Sequence, residues 1–218
     1  MIRLALSREN EEQLSVRARE VMEEGGTVAF PTDTLYGLGV DAELDEAVKG
    51  LYSLKGRDPG KPISVMVPDI DGLCRLGDID RGLREVLARI LPGAFTVIVR
   101  SSGELPHISR QGKIGIRIPD HGFSRKLCSE FPVTATSANP SGMPSPRSVG
   151  EISLGVDLLI DGGPTERGLQ STVVDFSGDR PMVLREGSGD MDLMNRMLRR
   201  GGLPRATLAR QDGGKDRG

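Results

Sequence analysis

The sequence predicts an α/β or α+β fold built on one twisted, mixed sheet. Three observations carry that expectation. Short apolar runs at 27–30, 95–99, 114–118 and 132–136 mix with segments of helical apolar spacing, without strict alternation. Glycine is abundant, 29 of 218 residues, and many glycines sit where the runs end, so the backbone can turn tightly there. No linker-like stretch or internal repeat divides residues 1–204, so one domain is expected. Residues 205–218 are polar and apolar-poor, and are expected to form a disordered tail.

Along the chain, Met1 to Leu6 is expected to lead directly into a helix, with no signal peptide. Ser7 is a suitable cap. Leu14, Ala18, Val21 and Met22 follow the helical spacing to about Glu24, and Gly25-Gly26 stops it. The run 27–30 reads as a buried strand. Leu44, Ala47, Val48, Leu51 and Leu54 form one stripe of a second helix. After a cationic loop, 63–67 is a strand. Leu83, Val86, Leu87 and Ile90 mark a third helix, ended by Pro92-Gly93. Strands at 95–99 and 114–118 follow, then a helix at 123–130 and a strand at 132–136. Residues 157–160, 171–176 and 181–184 read as strands, and Asp190 starts a last helix to about Arg200.

Composition narrows the function. The net charge is -2, from 29 basic and 31 acidic residues, so nothing global points to nucleic acid, although a local basic cleft is compatible with it. Aromatic residues are 3% of the chain and Trp is absent, which disfavours a base-stacking platform. Cys74 and Cys128 lie far apart without metal spacing and read as buried thiols of a cytoplasmic protein. With only His107 and His121 beside them, a structural metal is not expected. No apolar run is long enough to cross a membrane.

Several segments could carry chemistry. Lys55, Arg57 and Lys61 lie within seven residues, on a loop fixed by Gly56, Pro59, Gly60 and Pro62. A guanidinium fork and ammonium charges suit phosphate or carboxylate oxygens, against the plainer reading of a solvated loop after a helix. Just before it, Pro31-Thr32-Asp33-Thr34-Leu35-Tyr36-Gly37 places hydroxyls at a strand end. The run ending at Thr136 continues into Ser137-Ala138-Asn139-Pro140-Ser141-Gly142. Polar groups at a strand's carboxyl end are well placed to read a ligand, though they also favour simple turns. Arg117 sits between Ile116 and Ile118, so it faces away from the core, toward solvent or toward a cleft. Arg185 poses the same question. No GxxxxGK[ST], GxGxxG, HExxH or GxSxG motif occurs, and neither histidine suggests a nucleophile–base pair. Charge stabilisation by cations therefore fits better than covalent catalysis.

Taken together and in order, these pieces resemble the YrdC-like threonylcarbamoyl-AMP synthase family. The matching segments are GGTVAFPTDTLYGLG at 25–39, LYSLKGRDPGKPISV at 51–65, LPGAFTVIV at 91–99, IGIRIPDH at 114–121, TATSANPSGMPSP at 134–146, DLLIDGG at 157–163, STVVDF at 171–176 and VLREGS at 183–188. The resemblance implies a twisted mixed parallel and antiparallel sheet flanked by helices around a large, positively charged cleft. It implies a reaction in which L-threonine, bicarbonate and ATP, with Mg2+, give threonylcarbamoyl-AMP and pyrophosphate. The product would pass to a complex that modifies adenosine 37 of tRNA, and a direct tRNA contact is left open. The resemblance also implies that Thr32, Ser64, Arg117, Ala135 and Ser171 meet threonine. Lys55, Arg57, Pro59, Ser137, Asn139, Ser145 and Arg185 would hold the nucleotide, with Lys55 and Arg57 catalytic. The chain is similar to the short, single-domain members. Met66 departs from the polar residue frequent at that position, and Thr136 from a small residue or proline. The alternative is a non-synthase paralogue that binds double-stranded RNA or a nucleotide.

Overall fold

Period-two alternation along the apolar runs decides the architecture, because most strands carry apolar side chains on both faces and must be covered on both. The structure, a computed structural model, describes residues 1–209. Its elements in order are β1 (Ile2–Ala5), α1 (Glu11–Glu23), β2 (Val28–Phe30), β3 (Gly37–Gly39), α2 (Asp45–Lys55), β4 (Ser64–Met66), α3 (Ile70–Leu76), β5 (Gly77–Asp78) and α4 (Arg81–Leu87). They continue with β6 (Phe95–Ser101), β7 (Lys113–Arg117), α5 (Gly122–Leu127), β8 (Val133–Ser137), a 3-10 turn at Val149–Glu151, β9 (Leu158–Asp161), β10 (Thr172–Asp175), β11 (Met182–Arg185), α6 (Met191–Arg200) and β12 (Thr207–Leu208).

The strands form one sheet of twelve, in the order β1-β9-β2-β3-β8-β4-β7-β6-β10-β11-β12, with β5 paired beside β6. Pairing is mixed, as expected. The β1–β9, β2–β9, β4–β7 and β6–β10 pairs are parallel, whereas β2–β3, β3–β8, β4–β8, β6–β7 and β10–β11 are antiparallel.

Each face of the sheet carries its own apolar cluster. Ala29, Val65, Val97, Ile116 and Val174 point to the larger one, completed by Leu51 of α2, Leu73 of α3, Leu87 of α4 and Leu198 of α6. Val28, Phe30, Met66 and Val133 point the other way, onto Leu14, Ala18 and Met22 of α1 and Phe123 and Leu127 of α5. Two helices are too few to cover a sheet this wide. The strip of this second face beyond α1 and α5 stays open, and that strip is the floor of the cleft.

The structure revises several sequence expectations. Residues 2–5 form a strand, not a lead into a helix. They add to the edge of the sheet beside β9, with Leu4 partly buried against the second apolar cluster and the other three side chains exposed. The first helix begins at Glu11, and Ser7 lies in the preceding turn with its N–H donated to Asn10 Oδ1 at 2.8 Å. The short α3 was not anticipated; Asp69 caps it by accepting from Gly72 N at 2.9 Å. The helix expected to reach Ile90 stops at Leu87. Residues 205–209 do not behave as the expected tail. Ala206 is buried, with its N–H on Asn195 Oδ1, and Thr207–Leu208 pairs in parallel with β11. The remainder of that expected tail, residues 210–218, lies outside the described residues. Among the described residues no helix is long and apolar enough to cross a membrane. Cys128 is buried as expected, and burial pushes its thiol up to about 12; Cys74 is only partly buried.

Ile116, fully buried at the centre of the larger cluster, tests this packing. Ile116→Ala should lower the unfolding free energy by about 2–5 kcal/mol. A urea titration reads it as a lower midpoint at unchanged slope. A loss below about 1 kcal/mol would contradict the two-faced core.

Candidate active site

The cleft encloses about 550 Å³, a size suited to a nucleotide-sized ligand. Strand register explains its floor. Gly37 of β3 pairs with Ser137 of β8, Ala135 with Ser64 of β4, and Met66 with Arg117 of β7. Ile98 of β6 pairs with Gly115 of β7, and Thr96 of β6 with Val173 of β10. Alternation puts the side chains at these positions on one face, and all but Gly115 line the cleft. Gly115 is needed there because a Cβ would stand 2.6 Å from Ser64 Oγ. At β11 a bulge sets Arg185 opposite Val173 and Val183 opposite Val174. The extra residue lets both Leu184 and Arg185 reach the cleft.

The two polar loops noted in the sequence meet here. Lys55 is the last residue of α2, and Gly56 follows in the left-handed conformation, φ 57°, that ends the helix. The Lys55 ammonium donates to the carbonyl of Ser137 and, at 2.6 Å, to that of Asn139. Ser141 N returns a bond to Lys55 O at 2.8 Å. Burial, with the nearby Arg57, lowers the Lys55 pKa to about 8. Arg57 donates through Nη2 to Pro62 O at 2.8 Å, while its buried Nε lacks a partner among the described residues. Asn139 donates to Pro140 O and Met143 O, leaving its buried Oδ1 without a partner among the described residues. Ser145 Oγ accepts from Gln170 Nε2 at 3.1 Å.

On the far side, Arg185 donates to Ser171 O at 3.1 Å and Ser171 Oγ at 3.2 Å, and that hydroxyl shares a bond with Thr96 Oγ1 at 2.8 Å. Burial and the neighbouring Arg117 guanidinium both lower the Arg185 pKa. Arg117 itself is nearly buried. Its Nη2 donates to Asp33 Oδ1 at 2.5 Å, and its Nε has no partner among the described residues. The cleft lining thus carries four cations, Lys55, Arg57, Arg117 and Arg185, with no Asp or Glu among the described lining residues. Low-dielectric walls strengthen such a one-sign field, and it selects an anionic ligand.

All but one of the residues implied by the resemblance line this cleft: Thr32, Lys55, Arg57, Ser64, Arg117, Ala135, Ser137, Asn139, Ser145, Ser171 and Arg185. The exception is Pro59, which is exposed, its carbonyl 3.3 Å from Arg110 Nη2. Lys61, part of the cationic loop, is also exposed and outside the lining. Thr32 reaches the cleft with its hydroxyl already engaged. It accepts from Thr34 N and Leu35 N and donates to Leu35 O at 2.7 Å, closing its own turn. Thr34 and Gln170, which lie in polar segments already in view but were given no role of their own, also line the cleft, and so does Thr96, in a run that reads simply as a strand. Asp33 lay within a motif already in view, but its partner stands 84 residues away and no local spacing reveals it.

A resident metal does not fit these side chains. No group of three or more His, Cys, Asp or Glu among the described residues could hold one.

Comparison with known proteins agrees with this geometry. The Sua5_yciO_yrdC family model, described as "Telomere recombination", matches residues 20–187. A threonylcarbamoyl-AMP synthase of Bacillus subtilis is 36% identical over 188 residues, covering 82% of this chain and 54% of that protein. One of Pyrococcus abyssi is 36% identical over 201 residues, covering 88% of this chain and 59% of the relative. The crystal structure of P. abyssi Sua5 complexed with L-threonine superposes with a TM-score of 0.81 at 30% identity, covering 94% of this chain and 62% of that one. The chain therefore spans little more than half the length of these relatives. With a family model matched over most of its length and a shared fold, the chain belongs to the Sua5/YciO/YrdC family.

Proposed function

We propose that this chain is a threonylcarbamoyl-AMP synthase, joining L-threonine, bicarbonate and ATP with release of pyrophosphate. The observation that carries the reading is the cleft lining, where four cations and a set of hydroxyls converge with no carboxylate among the described lining residues. The names of its relatives support the same activity. The RNA-binding alternative gains no comparable support, because the cationic side chains face into a 550 Å³ cleft.

Arg117, Ser64, Ala135 and Ser171 form the threonine side in this proposal, with Thr32 supplying its turn and Arg117 taking the amino-acid carboxylate. Lys55, Arg57, Ser137, Asn139, Ser145 and Arg185 form the nucleotide side. Threonine's amine and bicarbonate combine, with loss of water, into an N-carboxylate. A carboxylate oxygen of that group attacks the α-phosphorus, and the bond to pyrophosphate breaks. The nucleophile comes from the substrates, in keeping with a cleft that shows no nucleophile–base pair. Lys55 and Arg57 neutralise charge building on phosphate oxygens. To reach them, Lys55 exchanges one or both main-chain carbonyls for phosphate. Mg2+ is written as part of the substrate, MgATP, and no step is routed through a metal held by the protein. The product passes to a tRNA-modifying complex in the cytoplasm.

Pyrophosphate release should need threonine and bicarbonate together. Omitting each in turn checks this, and turnover with neither would sink the proposal. Lys55→Ala should lower kcat/KM for ATP by about a hundredfold or more with the fold retained by circular dichroism. Near-normal turnover would remove Lys55 from the mechanism. Because Lys55 titrates near 8, its ammonium is present below that pH and lost above it. The pH profile of kcat/KM for ATP should therefore fall above about 8. In Lys55→Arg that falling limb should disappear, whatever the absolute rate, because guanidinium stays charged.

A further inference from the structure

Arg117 is a peculiar choice for binding a carboxylate, because it already has one. Its guanidinium and the Asp33 carboxylate are both buried, Asp33 being only 3% exposed, and they meet at 2.5 Å through Nη2 and Oδ1. Asp33 does not line the cleft, whereas Arg117 does. The contact is therefore made from behind the floor. It uses one terminal nitrogen, and the Nε edge of the guanidinium is left without a partner among the described residues. The bond from Asp33 thus holds the guanidinium at one terminal nitrogen and leaves its remaining N–H donors for a second carboxylate.

Charge balance points the same way. One guanidinium between two buried carboxylates would leave an excess negative charge. Arg167 Nε stands 3.9 Å from Asp33 Oδ2, the oxygen that makes no hydrogen bond among the described residues. Arg167 belongs to the loop that Gly168 N anchors to Thr34 O at 3.0 Å. With Arg167 counted, the row Arg167–Asp33–Arg117 carries one net positive charge, matched to one substrate carboxylate. His121 also feels Asp33, but burial lowers its pKa, and its Nδ1 faces Ser124 at the start of α5.

We propose that Asp33 is a positioning residue that holds the Arg117 guanidinium at the cleft floor and so sets selectivity for the carboxylate of the amino-acid substrate. This rests on the threonine reading above and deepens it. Asp33 touches no substrate, and its effect passes through Arg117.

The test compares Asp33→Asn, Arg117→Gln and the double variant, with L-threonine and L-threoninamide as rival substrates in the pyrophosphate assay. Threoninamide keeps the amine and hydroxyl and lacks the carboxylate charge. Asp33→Asn should raise KM for threonine about tenfold or more, the scale of a charged hydrogen bond. KM for ATP and kcat/KM for threoninamide should stay within about twofold of the parent protein. In the Arg117→Gln background, adding Asp33→Asn should change nothing further. A uniform loss across threonine, threoninamide and ATP would mean a merely structural carboxylate and would overturn the proposal, as would an unchanged threonine KM. Should Asp33→Asn alone fail to fold, the double variant decides, since it buries no unpaired charge: parity with Arg117→Gln supports the proposal and a further loss overturns it. Saturation of the parent protein by threonine checks the underlying reading separately.

Discussion

A side chain reaches this cleft because the strand beneath it is pleated and the helices above it stop short. Apolar residues on one sheet face are buried by α2, α3, α4 and α6, and on the other by α1 and α5 alone. Where those two helices end, the same alternation that elsewhere sends Val28 and Val133 into a core sends Ser64, Arg117 and Thr96 into the cleft. The site is thus the uncovered continuation of a core face. Its geometry is as rigid as the sheet, because moving one of these groups would require slipping a strand and turning a buried row to solvent.

That rigidity carries an electrostatic penalty. Burial lowers the pKa values of Lys55, Arg117 and Arg185 alike, so each is less comfortable as a cation here than in water. Below about pH 8 the Lys55 ammonium subtracts from stability. The penalty fades between about 8 and the ordinary lysine value, as the unfolded chain comes to bind more protons than the folded one. Carbonyl acceptors at Ser137 and Asn139 offset part of it without supplying a charge. An anion binding here would relieve all three groups together, which couples ligand affinity to fold stability. The larger core cluster on the opposite face supports the sheet against that strain.

Much of this was legible in the sequence where a local pattern encodes it. Ile116-Arg117-Ile118 announces a side chain turned from the core. The lysine at a helix end before Gly56, and the polar residues closing β8, announce polar strand and helix ends. What stayed hidden is non-local. Whether Arg117 faced water or a cleft depended on how far α1 and α5 extend, which no window of residues reports. The Lys55 contacts span more than eighty residues. The Asp33–Arg117 pair spans as many. The edge strands β1 and β12 are short and exposed, so their backbones add to the sheet with little side-chain pattern to betray them. Thr32 is the reverse case: its hydroxyl looked available in sequence and is consumed by its own turn.

The division of labour in the cleft follows from which cations already have partners. Arg117 already has a carboxylate behind it in Asp33, so it offers direction as well as charge. Arg185 rests on the Ser171 carbonyl and hydroxyl. Lys55 is held by carbonyls and Arg57 by Pro62 O, so neither of these two has a counter-charge in the cleft lining. A ligand with one carboxylate and a polyphosphate would sort itself accordingly. The carboxylate is oriented at Arg117, where Asp33 already offsets part of the positive charge, and the phosphates collect where no carboxylate offsets it. Such an arrangement stabilises charge as it migrates toward leaving oxygens while keeping the amino acid still. That separation is what a reaction needs when both nucleophile and leaving group are carried by substrates.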